Sequence, residues 1–195
     1  LWVALLMTTL FLLAGLGGAR LLAPFGLAPN VEALALAYWF PRMSGAVAGV
    51  ALWAVSSFFN GIGRTGVTLG LMLAVGLVNA LLNQVFAFGL GLGVSGVAWA
   101  TTAAQVFGVL LGLGIFLSPR ICADYACHLV WRPTWTHMRR ALLLGLPMGL
   151  LPAADLVGMA LFQLMQVDLG TVAGAATQIV VMLTSLAYMP AVGIA

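Results

Sequence analysis

The sequence predicts an all-α integral membrane protein of about six transmembrane helices, on the strength of three observations. Hydrophobic residues make up 64% of the 195 residues and charged residues only 6%, whereas soluble domains average roughly 45–50% and about 25%. Apolar runs of the roughly 20 residues that a helix needs to cross a hydrocarbon core fill most of the chain. Clusters of glycine and proline separate those runs. The composition therefore excludes a water-soluble enzyme and predicts a multi-pass protein of the cell (inner) membrane.

The first two predicted spans are joined by a turn. Residues 1–22 form the first span, and Pro24 and Pro29 supply turn chemistry after it. Residues 33–59 form the second span, whose length favours a tilt. Pro41 lies inside this span and lacks a backbone donor, so we expect a kink there.

The next two spans are bounded by glycine. The loop 60–66 contains three glycines and precedes the third span, residues 67–88. Glycines at positions 89, 91, 93 and 96 are then predicted to break the helical pattern. The fourth span follows at residues 97–117.

The last part of the chain begins with a polar connection. Residues 118–138 are predicted to be cytoplasmic, and the fifth and sixth spans cover residues 141–166 and 171–195. Because both termini lie inside apolar runs, we expect the sequence to be part of a longer protein.

All seven basic residues are arginine, and five of them fall in the loop 60–66 or after residue 117. These two regions lie on the same side of the membrane when the spans are counted, and the positive-inside rule makes that side the cytoplasm. No nucleic-acid partner is implied. Two interpretations stay open for Arg42, which either snorkels to the interface or lines a cavity.

The polar connection raises the question of a metal site. Cys122 and Cys127 lie near Asp124 and His128, but the gap between the cysteines differs from the usual zinc-ligand spacing. We predict two reduced thiols and neither a metal nor a cofactor. We also predict no enzyme activity, because the sequence has no phosphate-binding loop and no serine with an evident base partner.

Asp155 is the one ionisable residue that lies clearly inside a predicted span. A charge at the bilayer centre costs at least about 2.5 to 3.5 kcal/mol on insertion scales, so this residue is a functional candidate. We expect it to face a cavity and to take and release protons. The alternative is a structural carboxyl group, satisfied by a neighbouring helix or by backbone freed by Pro152. Pro147 and Pro152 also predict a hinge in this span.

Amide side chains provide further candidates. Asn79 and Asn83 are four residues apart and share one helix face. Gln166 follows Asp155 by eleven residues, which is about 20° around a straight helix, so both can border one cavity. Gln178 lies in the sixth span. Each amide is predicted either to bind the substrate or coupling ion, or to hold helices together by hydrogen bonds.

Small residues four positions apart allow helix backbones to approach closely inside lipid. Four glycine pairs have this spacing: Gly45/Gly49, Gly108/Gly112, Gly145/Gly149 and Gly170/Gly174.

Several motifs in this order resemble the multidrug and toxic compound extrusion (MATE) family. Residues 59–66 (FNGIGRTG), with Asn79 in the next span, are similar to the family's junction between helices four and five. Residues 93–101 (GVSGVAWAT) resemble the entry to its helix six. The motifs similar to its helices seven and eight are GLP at 145–147, Asp155, LGT at 169–171, AATQI at 175–179 and MP at 189–190.

The resemblance covers essentially the whole chain, as helices three to eight of a twelve-helix, two-lobed transporter. It implies that residues 1–138 end the first lobe and residues 139–195 start the second. Asp155 stands where many bacterial members carry a glutamate, and Asn79 matches a family asparagine. Asn83 replaces an aspartate of some members, and this departure weakens the case for their type of ion binding in the first lobe.

The leading hypothesis is a multidrug efflux antiporter that exports organic cations by alternating access, with H⁺ or Na⁺ as the coupling ion and no other cofactor. Its partners are cationic drugs or metabolites, the lipid bilayer and the remaining helices of the same transporter, in a monomer. Two alternatives stay open. One is a flippase or exporter of lipid-linked sugars, which needs several basic residues in its cavity, and the other is a non-functional fragment.

Overall fold

A computed structural model describes residues 29–125, 134–168 and 171–194, together with residues 6, 8, 9, 12, 13, 15 and 17. Most of the predicted first span, residues 1–22, therefore lies outside the described residues, as do Cys127 and His128. The described helices are α1 (Pro29–Ser44), α2 (Ala46–Gly61), α3 (Thr65–Asn83), α4 (Gly93–Phe116), α5 (Pro119–Tyr125), α6 (Trp135–Asp168) and α7 (Thr171–Ile194).

The predicted second span is two helices, α1 and α2, that meet at an angle of 50°. The kink predicted from Pro41 is thus confirmed, although the break lies one turn later, at Gly45. The Pro41 carbonyl accepts hydrogen bonds from the Gly45 amide at 3.2 Å, the Ser44 hydroxyl at 2.7 Å and the Thr102 hydroxyl at 2.9 Å. The bend is therefore stabilised by a side chain of α4 as well as by hydrogen bonds within the bend itself.

The third predicted span is confirmed as an apolar stretch from Thr65 to Gly89. Its last turn, Gln84–Gly89, is π-helical. A tight turn follows, in which Gly91 and Gly93 have φ of 66° and 54°, a conformation that glycine adopts without steric cost.

The predicted start of the fourth span at residue 97 is wrong. Helix α4 begins at Gly93 and includes Gly96, because packing against the π-helical turn overrides the low helix propensity of glycine. A side-chain carbon on Gly96 would lie 2.7 Å from the backbone of Phe86.

Helix α4 is the centre of the first packed unit and contacts α1, α2, α3 and the π-helical turn. Its buried residues are all small: Gly96, Ala98, Ala100, Thr102, Ala104, Gly108 and Gly112. Gly108 and Gly112 receive Val75, Leu52 and Val55 from the neighbouring helices. Two predicted glycine pairs, Gly45/Gly49 and Gly108/Gly112, therefore lie at helix contacts, as expected for packing inside lipid.

Helix α5 covers one end of this unit. Ile121 is buried with Phe59 and Leu71, and the Phe58 ring packs edge-on against the rings of Phe59, Phe116 and Tyr125. Asp124 forms an exposed ion pair with Arg64 at 3.6 Å. Cys122 is a free thiol, and the described residues contain no cluster of metal-ligating side chains.

The chain divides into two compact units, Leu1–Met138 and Arg139–Ala195. Helix α6 begins at Trp135, so the predicted start of the fifth span at residue 141 is six residues too late and the end of the predicted connection is helical. The assignment of residues 1–138 and 139–195 to two lobes stays a prediction. Among the described residues, Thr65–Gly89, Gly93–Phe116 and Trp135–Gln163 are long and apolar enough to cross a membrane, and the bent α1–α2 pair is a fourth candidate.

Candidate functional site

In the second unit, two hydrogen bonds that involve glutamine side chains connect α6 and α7. The Gln163 amide donates to the Gln178 side-chain oxygen at 2.6 Å, and the Thr177 hydroxyl donates to the Gln166 side-chain oxygen at 3.3 Å. Two of the predicted candidates, Gln166 on α6 and Gln178 on α7, thus lie on helices that contact each other. Gln163 was missed by the sequence analysis, although its position one helical turn before Gln166 is a signal that could have found it.

Asp155 lies on α6, on nearly the same helix face as Gln166. Its side chain is exposed, and within the described residues it makes no hydrogen bond and no ion pair. The two amide contacts fix an antiparallel register for α6 and α7. No proline lies between Asp155 and Gln166, so this part of α6 has no proline that would bend it.

A groove of about 220 Å³ runs between α6 and α7 one turn from Asp155. It is lined by Met159, Val180, Val181, Thr184, Ser185 and Tyr188. The Thr184 and Ser185 hydroxyls donate to the carbonyls one turn earlier, at 2.9 Å and 2.8 Å. Their oxygens keep lone pairs that can accept further hydrogen bonds. An apolar groove with hydroxyl oxygens and a nearby carboxylate suits an amphipathic cation.

Pro147 and Pro152 both lie inside α6, which continues through them. Their predicted role as a hinge stays a prediction.

The first unit holds a chain of side-chain hydrogen bonds between α3 and α4. The Asn83 amide donates to the Asn79 oxygen at 3.0 Å, and the Asn79 amide donates to the Thr101 hydroxyl at 3.2 Å. The Thr101 hydroxyl donates in turn to the Val97 carbonyl at 2.9 Å. These contacts fit the interpretation of the asparagines as helix-joining groups. The Asn83 side-chain oxygen is buried without a partner among the described residues, which leaves one oxygen free for a ligand.

Arg42 lies just before the bend between α1 and α2. Its Nη1 donates to the Gln105 side-chain oxygen on α4 at 3.0 Å. A side-chain carbon on Gly49 would lie 3.4 Å from the Gln105 amide, so the glycine lets α2 pass close to this pair. Gln105 was missed by the sequence analysis, because its contact with Arg42 joins residues 63 positions apart.

The helices and their apolar surfaces define the chain as an all-α, multi-pass membrane protein. The chain is similar to three curated proteins that each bear the name "Probable multidrug resistance protein NorM". It is 27% identical over 199 residues to the one from Agrobacterium fabrum, a match that covers 100% of this chain and 43% of the relative. It is 30% identical over 203 residues to the one from Bradyrhizobium diazoefficiens, a match that again covers 100% of this chain and 43% of the relative.

The third relative, from Rhizobium meliloti, is 29% identical over 175 residues, which is 87% of this chain and 38% of the relative. No family model matches the chain. The three relatives confirm the predicted resemblance to the MATE family. The chain spans about two fifths of the length of the curated relatives it matches.

Proposed function

We propose that this chain belongs to a multidrug efflux antiporter of the cell inner membrane, which exports organic cations in exchange for H⁺ or Na⁺. The observation that carries the proposal is Asp155, an ionisable side chain on an apolar helix with no partner among the described residues. The names of the relatives support export of drugs. A carboxylate at membrane depth is costly unless it binds a proton, a metal ion or another cation.

The exchange follows from competition for one carboxylate. When Asp155 holds a proton or a sodium ion, it is neutralised and does not attract an organic cation. When a cation enters, its positive charge replaces that of the coupling ion, which is then released. Because each ligand lowers the affinity for the other, a gradient of the coupling ion drives the export of the cation.

The groove between α6 and α7 supplies the remaining contacts. Its apolar wall, from Met159 to Val180, accepts the hydrophobic part of an amphipathic drug. The Thr184 and Ser185 oxygens line the groove and offer polar contacts there. The bonded Gln163 and Gln178 side chains lie between the same two helices. A groove of this kind binds cations of varied shape, since only the carboxylate makes a charge-specific contact.

The proposal is tested with vesicles that contain the full-length natural protein. Ethidium efflux is measured under a proton gradient and, separately, under a sodium gradient. We expect efflux with one of the two gradients, and its loss in Asp155→Asn because an amide neither releases a proton nor neutralises a cation. Asp155→Glu should retain part of the activity.

Asp124→Asn is the matched control, because it removes an exposed carboxylate in the other unit. Its efflux should equal that of the unchanged protein. Efflux by Asp155→Asn at the unchanged rate would refute the role of Asp155. No efflux under either gradient by the unchanged protein would refute antiport.

A further inference from the structure

Two adjacent arginines, Arg139 and Arg140, lie near the beginning of α6 with exposed side chains. The part of α6 that is apolar enough to cross a membrane, Trp135–Gln163, has 29 residues, which is about 43 Å at the rise of a helix. With an ordinary tilt of about 20° it still spans about 41 Å. The hydrocarbon core is about 30 Å thick, so about 10 Å of this helix lies outside the core.

The first six residues of α6 are the part that lies outside the core. Residues 135–140 (WTHMRR) contain both arginines and a histidine, whereas residues 141–154 contain no charged side chain. Six residues span about 9 Å, which matches the excess length of the helix. Arg139 and Arg140 therefore lie at the border of the hydrocarbon core, in the headgroup region.

The side chains of these two arginines lean away from the hydrocarbon. Every Cα–Cβ bond of an α-helix tilts toward the N-terminus, and the N-terminal end of α6 is the end outside the core. The arginine side chains extend further in that direction and place their guanidinium groups among the headgroups. Trp135 is 71% exposed and lies on the same helix face as Arg139, at a depth where tryptophan is enriched.

No acidic side chain of the second unit lies near the two arginines. The acids among residues 139–195 are Asp155 and Asp168. Asp155, the nearer of the two, lies fifteen residues beyond Arg140, which is about 22 Å along the helix. Neither arginine has an ion-pair partner among the described residues. The start of α6 therefore carries two positive charges that no side chain of its unit neutralises.

Two unpaired guanidinium groups at this depth match the headgroup of an anionic phospholipid. A guanidinium group forms a bidentate pair with phosphate oxygens, and basic residues beside a membrane helix attract anionic lipids. A zwitterionic lipid carries a cation beside its phosphate, which offsets the attraction to arginine. A soluble phosphate has no acyl chains to hold it at this depth. Leu143 and Leu144, exposed on the next turn, offer apolar surface to the acyl chains of a lipid.

We propose that the start of α6 is a binding surface for anionic phospholipids. The lipid phosphate groups pair with Arg139 and Arg140, the Trp135 ring lies among the headgroups, and the acyl chains follow the apolar turns of α6 that come next. The contact holds this end of the second unit at a fixed depth in the membrane. The inference is independent of the proposed export function, because it concerns the membrane and not the substrate.

The test measures lipid binding to the full-length natural protein, purified in a neutral detergent. The probes are phosphatidylglycerol and phosphatidylcholine with the same fluorophore on one acyl chain, and fluorescence anisotropy reports binding. Phosphatidylglycerol should bind more tightly than phosphatidylcholine. Arg139→Gln and Arg140→Gln should each weaken phosphatidylglycerol binding about fivefold, and the double variant about 25-fold, because each basic residue near a membrane surface contributes about that factor.

Two further variants serve as controls. Arg64→Gln removes an arginine that is 42% exposed and pairs with Asp124 at 3.6 Å, so phosphatidylglycerol binding should change less than about twofold. Replacement of Arg139 and Arg140 together by lysine keeps both charges and loses only the bidentate geometry, so binding should stay within about threefold. The unfolding temperature in detergent should be the same for all variants, which shows that each is folded.

Four results would overturn the binding surface. The first is equal binding of the two lipids by the unchanged protein, and the second is undiminished phosphatidylglycerol binding by the double glutamine variant. The third is binding that does not weaken as salt is raised, because contacts between exposed charges are screened. The fourth is displacement of the labelled lipid by inorganic phosphate as readily as by unlabelled phosphatidylglycerol, which would overturn the choice of a lipid.

Discussion

The two units use polar side chains in different ways. In the first unit, the Asn79 and Thr102 side chains donate to groups on neighbouring helices, and small residues on α4 bring those helices close together. In the second unit, Gln163 and Gln178 pair with each other at an exposed site, and Asp155 has no partner among the described residues. The hydrogen bonds of the first unit mainly hold helices together, whereas the second unit keeps a charged group available.

This difference has a physical basis. An interhelical hydrogen bond inside lipid contributes about 0.6 kcal/mol on average, so several are needed to hold helices together, and tight packing of small residues supplies the rest. A side chain that binds different ligands one after another cannot also be bonded to a structural partner, because that partner would compete with the ligands. The comparison makes predictions that differ between the units.

The largest expected effect on stability is that of a methyl group at a helix contact. Gly96→Ala places a carbon 2.7 Å from the backbone of Phe86, and overpacking of this kind costs typically about 1–3 kcal/mol. Gly149→Ala, on α6, meets no described atom within 4 Å and should be neutral or stabilising by up to about 1 kcal/mol. Thermal unfolding of the purified natural protein measures both. Equal destabilisation by the two substitutions would break the comparison.

A smaller effect is expected from the amide bonds. Asn79→Ala removes two hydrogen bonds and leaves the Asn83 NH₂ group without its acceptor, so we expect a loss of about 1–2 kcal/mol. Gln163→Ala removes one exposed bond and should cost about 0.6 kcal/mol or less. The same unfolding measurement applies. A larger loss for Gln163→Ala than for Asn79→Ala would contradict the comparison.

The smallest effect concerns the ion pair between Arg64 and Asp124. Both side chains are largely exposed and 3.6 Å apart, so Asp124→Asn should change stability by less than about 0.5 kcal/mol. That change should disappear at high salt, because salt screens exposed charges. Unfolding measured at low and at high salt tests this. A salt-independent loss would show that Asp124 has a structural role.

The sequence predicted the parts of the fold that depend on local chemistry. Composition and run length predicted the helical membrane class, and Pro41 predicted the kink in the second span. The start of α4 could not be predicted, because the preference of glycine for turns is overridden there by the contact between Gly96 and Phe86. The start of α6 at Trp135 was missed as well, because the first turn of this helix is polar and a search for apolar runs excludes it.

The candidate site likewise contains residues that the sequence predicted and residues that it did not. Asp155 stood out from the sequence alone because a charge in an apolar run is rare. Gln105 and Gln163 did not, since their importance depends on which helices face each other. The predicted asparagine pair proved to include Thr101 as a third member, 22 residues from Asn79, and no spacing rule connects residues that far apart.

The most direct test of the account asks whether Asp155 exchanges one ion for another. Ethidium is added to the purified natural protein in weakly buffered detergent solution, and a proton electrode and a sodium electrode record any release. We expect about one proton or one sodium ion per bound ethidium, since one carboxylate holds one or the other. Asp155→Asn should release none, and Asp124→Asn should match the unchanged protein. Undiminished release from Asp155→Asn would contradict the account.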